Sequence, residues 1–322
     1  MRHIRVITPA RLHFGLIDLN GALGRIDGGI GIAINDPTFE LIAKPSQRIE
    51  IKSWQYEERV HAILERLQSK HHFPGLHVEF VSEIPAHSGF GSGTQLALAL
   101  GQAVNTLYDL NLSVPELAFA VARGGTSGIG VAAFDQGGFV LDGGHSYPDR
   151  KSSFLPSSAV GNVPPPPILL RYPFPSWELL IVSPNCKHIS GKAEVNPFQT
   201  LCPQPQSTAE RLSHIILMKL LPSIYEGNLE AFGDAINRIQ TFGWKKVEID
   251  AQRGVLQQTL DFLRDSGALG AGVSSWGTAI LAVGDNIPAF HINTQAFLDS
   301  LPNGGSCFVT QANNVGARVK LT

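Results

Sequence analysis

From Glu83 to Thr94 the chain reads Glu-Ile-Pro-Ala-His-Ser-Gly-Phe-Gly-Ser-Gly-Thr and runs straight into an Ala- and Leu-rich stretch ending at Leu107. Gly89, Gly91 and Gly93 permit positive φ and let a ligand approach the main chain. The strongly helical pattern over 94–107 sets a helix start directly behind them. The first N–H groups of a helix have no internal acceptors and carry partial positive charge. The segment Ser88, Gly89, Gly91, Ser92, Gly93, Thr94 therefore predicts a cradle for a phosphate or pyrophosphate. A tight strand-to-helix turn with a Ser or Thr N-cap and no ligand fits the same spacing. The loop is neither a Walker A loop, which ends in Gly-Lys-Ser/Thr, nor a Gly-x-Gly-x-x-Gly fingerprint.

Around this loop the pattern alternates between strands and helices without a regular β-α-β beat, which indicates α+β. Strands are expected at Ile4–Ile7, Ile30–Ile34, Thr38–Ala43, Ile49–Lys52 and Leu76–Val81, with a helix over 54–69. Pro115 sits in the first turn of another helix, where its missing N–H is tolerated. The four prolines Pro164–Pro167 exclude a helix or central strand and mark a surface connection. A domain boundary placed there divides the chain into 1–165, carrying the glycine-rich loop, and 166–322. The second half is expected to hold strands at Glu178–Ser183, Thr278–Val283 and Cys307–Thr310. Its helices are expected at 228–240, 250–265 and 288–301, and another opens at the capping-box pattern Ser207-x-x-Glu210.

Composition narrows the partners. The 322 residues carry 25 Lys+Arg against 27 Asp+Glu, a formal charge of −2, which gives no long-range field for nucleic acid or an anionic membrane. No run approaches the roughly 18 apolar residues of a membrane span, and the N-terminus lacks the apolar core of a secretory signal. Cys186, Cys202 and Cys307 are few and widely spaced, so a disulfide framework is not expected and a reducing cytoplasm is.

Three segments in order make the sequence recognisable. Pro9 to Asp18, the loop Pro85 to Thr94, and Gly270-Ala271-Gly272-Val273-Ser274-Ser275-Trp276-Gly277 resemble the three motifs of the GHMP kinase superfamily. Arg25 to Gly31, Arg123 to Gly130 and the Ser-Ser-Trp-Gly box resemble one branch of it, the β-ribofuranosylaminobenzene 5′-phosphate synthase family. The resemblance spans nearly the full length. It implies a GHMP kinase-like α+β fold: an N-terminal ribosomal protein S5 domain 2-like domain and a C-terminal ferredoxin-like domain.

Two departures from the kinase pattern bear on chemistry. Gly130 stands where mevalonate-type kinases carry an aspartate beside the phosphoryl acceptor, and glycine can neither take a proton nor orient a hydroxyl. Gly93 replaces a serine that often binds magnesium, with Thr94 one place later. The branch implies instead a phosphoribosyl transfer from 5-phosphoribosyl-1-pyrophosphate to 4-hydroxybenzoate or 4-aminobenzoate, with loss of carbon dioxide and pyrophosphate, in methanopterin biosynthesis. An ATP-dependent small-molecule kinase and a non-catalytic phosphometabolite sensor are the competing readings.

The resemblance also supplies site expectations. Asp18, Arg25 and His13 are the catalytic candidates: a carboxylate for the ribosyl charge, a guanidinium clamp, and a base or hydrogen-bonding group. Arg11, Asp27, Arg123, Lys192, Glu194, Ser274, Ser275 and Trp276 join the glycine-rich loop as substrate-binding candidates, Trp276 by stacking on an aromatic acid. Each has a plainer reading. The arginines are solvated or paired charges, the two aspartates turn residues, and Trp276 a core side chain. Mg2+ is the implied cofactor, with Thr94 and Asp135 as its candidate ligands, and a homodimer is the implied assembly.

Overall fold

The structure, a computed structural model, describes residues 2–53, 55–156, 159–186, 192–252 and 254–321. Two antiparallel hairpin partners dominate the first half, β1 (Ile4–Asp18) and β2 (Arg25–Ser46). Residues 26–34 of β2 are buried on both faces, whereas Phe39, Leu41 and Ala43 alternate with more exposed neighbours. The polar break Asn35-Asp36-Pro37 reads as a gap between two strands, yet the ladder to β1 continues on both sides of it, with one register shift between Thr8 and Ala10. The gap is bridged by the C-terminal segment: Asn35 N–H donates to Gln311 and Asn313 N–H to Ala33.

The length of β2 lets it serve different partners at its two ends. One end pairs with β4 (Gly75–Ser82), which also takes β3 (Glu50–Lys52) in parallel. The other pairs with β5 (Phe139–Asp142) and β6 (His145–Ser146). The eight-stranded sheet is completed by β7 (Ile168–Tyr172) on β5 and β12 (Arg318–Leu321) on β1. Both of these last strands come from beyond residue 165.

Helix α1 spans Glu57–Gln68. Helix α2 (Ser92–Leu107) is buried on almost every side, which explains why its sequence is apolar all round instead of amphipathic. Helix α3 (Val114–Ala120) has a true capping box between Ser113 and Glu116, and α4 (Ile129–Asp135) packs beside α2.

The second half is built on a four-stranded antiparallel sheet, β8 (Leu179–Pro184), β9 (Gly270–Val273), β10 (Ile280–Val283) and β11 (Gly305–Thr310), in the order β11-β8-β10-β9. Helix α5 is Lys192–Leu201. Helix α6 (Gln206–Ile215) passes through a π-helical turn, Ile216–Leu220, into α7 (Leu221–Glu226). It starts at Gln206 behind Pro205, and the expected Ser207 capping box does not form. The stretch read as a single helix over 250–265 is two, α9 (Gly243–Ala251) and α10 (Val255–Asp265), divided at Gly254, whose φ is 103°. With α8 (Leu229–Ile239) and α11 (Ile287–Ser300), these sandwich the sheet. Leu179, Ile181 and Leu281 face α8 and join the main core, whereas Leu180, Val182 and Ile280 join a second core with α10 and α11. No helix among the described residues is long and apolar enough to cross a membrane.

Candidate active site

The loop behaves as the glycine pattern requires. Gly89 and Gly91 have φ of 89° and 76°, and Gly91 caps α2 in the left-handed region. Thr94 and Gln95 N–H close on the Gly91 carbonyl, so the helix begins with a tight turn behind the N–H groups of Ser92 and Gly93. Ser88 and Ser92 hydroxyls hold the loop itself: Ser88 donates to Ala86, and buried Ser92 hydrogen-bonds the Tyr56 phenol.

The third glycine-rich segment lies against this loop. Ser274 Oγ donates to Gly89 O at 2.7 Å, and Ala279 N–H donates to Ser88 O at 3.1 Å. A methyl group on Gly277 would stand 2.1 Å from Gly89 N. Gly270 plays another part, letting β9 approach Gly233 of α8 so closely that a methyl would meet its Cα at 2.4 Å. These glycines are thus used for close packing. Ser275 sits in the turn, its carbonyl accepting from Gly277 N–H.

Two arginines frame the loop. Arg11 Nη1 donates to Gly89 O at 2.5 Å, and its guanidinium lies over Gly91. Arg123 lies over Gly93, with guanidinium atoms 3.5 and 3.6 Å from where a methyl there would be. Arg123 Nε is buried without a hydrogen-bond partner, and no carboxylate pairs with this guanidinium among the described residues. Burial, aided by the Arg59 charge, pulls Arg123 down to about 10. A mostly buried cation at the positive end of a helix is poorly compensated until an anion arrives.

Gly130, in the first turn of α4, faces Thr94. A methyl at 130 would touch Thr94 Cγ2 at 3.0 Å and Cβ at 3.2 Å, so the threonine packs against this glycine.

Beside the loop, His13 is buried in β1. Its N–H donates to Ser274 Oγ at 3.0 Å, and its Nε2 lies 3.0 Å from Ser127 Oγ. Burial holds its imidazole well below the usual histidine range, reinforced by the charges of Arg11 and Lys245. Ser127 is 3.2 Å from Asp142 Oδ2, which also accepts Gly128 N–H at 2.8 Å. Burial raises Asp142 to about 6, against the opposing effect of those hydrogen bonds. Gly29 makes room for the cluster: a methyl there would lie within 3.1 Å of Asp142, Ser127 and His13. Lys245, buried in α9 and paired with Glu248 Oε2 at 2.5 Å, completes the surroundings. Lys245 and Glu248 were not among the sequence candidates, because nothing in their local sequence marks them, and Ser127 lies within the Arg123–Gly130 stretch without being singled out there. In the sequence Asp142 reads either as a source of metal oxygens or as a glycine-rich turn residue.

The remaining candidates separate by their partners. Asp18 Oδ1 accepts Asn20 and Gly21 N–H groups at 2.7 and 3.0 Å, the plainer turn role, while Oδ2 has no partner among the described residues. Arg25 donates to Gly143 O at 2.8 Å and Gly144 O at 2.7 Å and keeps an exposed edge. Asp18 and Arg25 line one cavity of about 280 Å³, with Ile17, Leu141, Leu169 and Ile216 among its apolar walls.

Asp27 is not open to substrate. Its buried carboxylate pairs with Lys151 Nζ at 2.9 Å and His145 Nδ1 at 2.8 Å. The expected stacking role of Trp276 gives way to packing: it is buried with Leu16, Leu19, Phe198 and Trp244, with the Trp244 ring edge-on at 6.0 Å. Lys192 and Glu194 begin α5, and their side chains lie outside the described residues.

The two candidate magnesium ligands, Thr94 and Asp135, have different surroundings among the described residues. Asp135 is exposed at the far end of α4, its carboxylate accepting from the Gln136 side chain. Gly130, against which Thr94 packs, is five residues earlier, about 7.5 Å of helix rise away. Thr94 thus packs against the start of α4, and Asp135 sits at its end. No group of three His, Cys, Asp or Glu among the described residues is arranged to hold a metal.

Comparison with known proteins agrees with this architecture. Residues 58–143 match the family model described as GHMP kinases N terminal domain. The chain is 43% identical to the β-ribofuranosylphenol 5′-phosphate synthase of Methanothermobacter thermautotrophicus, over 96% of each chain. It is 40% identical to the enzyme of that name from Archaeoglobus fulgidus, over 99% of this chain and 100% of that one. Among solved structures, homoserine kinase from Cytophaga hutchinsonii superposes with a TM-score of 0.70 at 19% identity, covering 99% of this chain and 97% of that one. Mevalonate kinase from Methanococcus jannaschii gives 0.64 at 14%, covering 97% and 99%. At these identities the structural likeness shows the GHMP kinase fold alone.

Proposed function

The chain belongs to the family of β-ribofuranosylphenol 5′-phosphate synthases, and on that premise we propose that it joins 5-phosphoribosyl-1-pyrophosphate to 4-hydroxybenzoate. The products are β-ribofuranosylphenol 5′-phosphate, carbon dioxide and pyrophosphate. The phenol in the relatives' name favours the hydroxyl acceptor over 4-aminobenzoate, and the methanopterin pathway is part of this reading.

The observation that carries the proposal is Arg123, a mostly buried guanidinium with no carboxylate paired to it among the described residues, lying over the start of α2. Together with Arg11 and the N–H groups behind Gly91, it suits a diphosphate. As the bond from the anomeric carbon to pyrophosphate breaks, negative charge grows on the leaving oxygens, and fixed donors there favour the transition state over the ground state. Asp18 Oδ2 offers negative charge to the ribosyl centre, and the exposed edge of Arg25 offers a clamp for phosphate or carboxylate. Magnesium enters this reading as the counter-ion accompanying the substrate's pyrophosphate, with no protein ligand assigned. A homodimer in a reducing cytoplasm belongs to the same reading. Kinase chemistry is disfavoured because Gly130 brings no acceptor carboxylate to the side of the loop where Thr94 packs.

The test uses 4-hydroxybenzoate labelled in its carboxyl carbon. Labelled carbon dioxide and pyrophosphate are expected in equal amounts, both dependent on the activated pentose. Pentose-dependent turnover that retains the label in the aromatic product would refute the proposal.

A further inference from the structure

Beside the phosphate loop, a line of three side chains ends in a bare nitrogen. Asp142 Oδ1 accepts Gly144 N–H at 3.0 Å, and Oδ2 accepts Gly128 N–H at 2.8 Å and faces Ser127 Oγ at 3.2 Å. A carboxylate has only lone pairs to offer, so Ser127 donates its proton to Asp142. Ser127 Oγ is then left to accept, from Ile129 N–H at 3.3 Å and from His13 Nε2 at 3.0 Å. The imidazole proton therefore sits on Nε2, and Nδ1 carries the lone pair. Nδ1 is buried and has no partner among the described residues. A buried acceptor left unmatched is costly and calls for an explanation. Among the described residues no donor pairs with it, and a ligand hydroxyl would do so.

We propose that His13 Nδ1 takes the ring-hydroxyl proton of the aromatic acceptor, and that Ser127 and Asp142 are positioning residues that fix the imidazole in the tautomer able to do so. The proposal rests on the synthase reading and adds the group that activates the acceptor. As the ring carbon bearing the carboxylate gives an electron pair to the anomeric carbon, the bond to pyrophosphate breaks and its pair leaves on oxygen. The O–H pair moves toward the ring, giving a cyclohexadienone, and the proton rests on Nδ1. Loss of carbon dioxide returns its bonding pair to the ring, the oxygen takes the proton back, and the imidazole is neutral again. Protons and electrons balance without a further reactant.

The charges around the chain suit this cycle. Arg11 from β1 and Lys245 from α9, itself paired with Glu248, face His13 and keep it neutral at rest. Asp142, faced by Asp27 and Lys151, sits at the far end of the line and offsets the imidazolium through Ser127.

The experiment compares the full-length wild type with Ser127→Ala, Ser127→Val and Ser127→Thr. The acceptors are 4-hydroxybenzoate and its 3-fluoro and 3,5-difluoro forms, whose hydroxyls are more acidic. With 4-hydroxybenzoate, kcat is expected to fall on the order of ten- to a hundredfold in Ser127→Ala and Ser127→Val. KM for the activated pentose should stay unchanged, and Ser127→Thr should regain most of the rate. The deficit relative to wild type should shrink as the acceptor becomes more acidic, because less basicity is then needed. That trend is read within each variant, so a general loss of stability cannot imitate it. A deficit constant across the three acceptors would move the Nδ1 partner to a ribose hydroxyl or to structure and overturn the proposal, as would wild-type rates in Ser127→Ala. If the wild type releases no carbon dioxide from any acceptor, the synthase reading fails and this inference with it. Wild-type turnover with no acceptor trend defeats this inference alone.

Discussion

Replacing Gly277 by alanine tests how the second half of the chain holds the loop. The new methyl would stand 2.1 Å from Gly89 N, 2.2 Å from Ser88 C and 2.3 Å from Gly89 Cα. Ordinary contact begins at 3.4 Å, so the loop backbone must retreat by about 1.3 Å. All three obstacles are main chain, and no flexible side chain can swing aside. The backbone at 277 is not in the left-handed region, so alanine adds a clash without adding local strain. Retreat draws Gly89 away from Ser274 and Arg11 and shifts the N–H groups behind it. A displacement of about 1 Å at a reacting group costs about a hundredfold in rate, and overpacking of this kind costs ~1–3 kcal/mol of stability. Steady-state pyrophosphate release should therefore fall about a hundredfold in Gly277→Ala, while urea denaturation still shows a cooperative fold. Gly161, with nothing within 4 Å of its Cβ position, provides a silent control as Gly161→Ala. Activity in Gly277→Ala within twofold of wild type would refute the packing argument.

Two more outcomes follow from the buried charges. Arg123→Met removes a poorly compensated cation, so the ligand-free protein should melt at a higher temperature while KM for the activated pentose rises by roughly ten- to a hundredfold. A lower melting temperature with unchanged KM would show that Arg123 is structural. Burial raises Asp142 in the fold to about 6 from its ordinary 3.8, so the fold binds its proton more tightly than the unfolded chain does. Its stabilising contribution is complete below pH 3.8 and is lost as pH rises to about 6, a change of ~3 kcal/mol. The unfolding free energy of wild type minus that of Asp142→Asn, followed by denaturant titration across that window, should fall by about this amount as pH rises, and a flat difference would contradict the assignment.

Much of this architecture is legible in local sequence. The glycine-rich loop and α2 can be read because φ > 0 and helix initiation leave compositional marks. Arg11 and Arg123 stand out only through motif context. What escapes detection depends on contacts between distant segments. The gap at Asn35-Asp36-Pro37 ends the apolar pattern, but its hydrogen bonds come from residues near 311, which no local window includes. The pattern over 250–265 reads as one helix, but backbone geometry at Gly254 divides α9 from α10 there. Asp27 looks like a site carboxylate until Lys151, far along the chain, is seen to neutralise it. Ser127 and Asp142 meet only because β5 pairs with β2 and carries Asp142 back beside His13. The third-motif glycines were legible as special, but their use in packing against Gly233 and Gly89 required the fold.

The central claim is that the loop between Arg11 and Arg123 grips a diphosphate that leaves, and calorimetric titration of the ligand-free protein tests it most directly. Pyrophosphate and the activated pentose, each with magnesium, are expected to bind competitively and to weaken in parallel in Arg123→Met, with no heat from ATP at comparable concentration. Tight ATP binding that depends on Arg123, together with no response to pyrophosphate, would contradict the account.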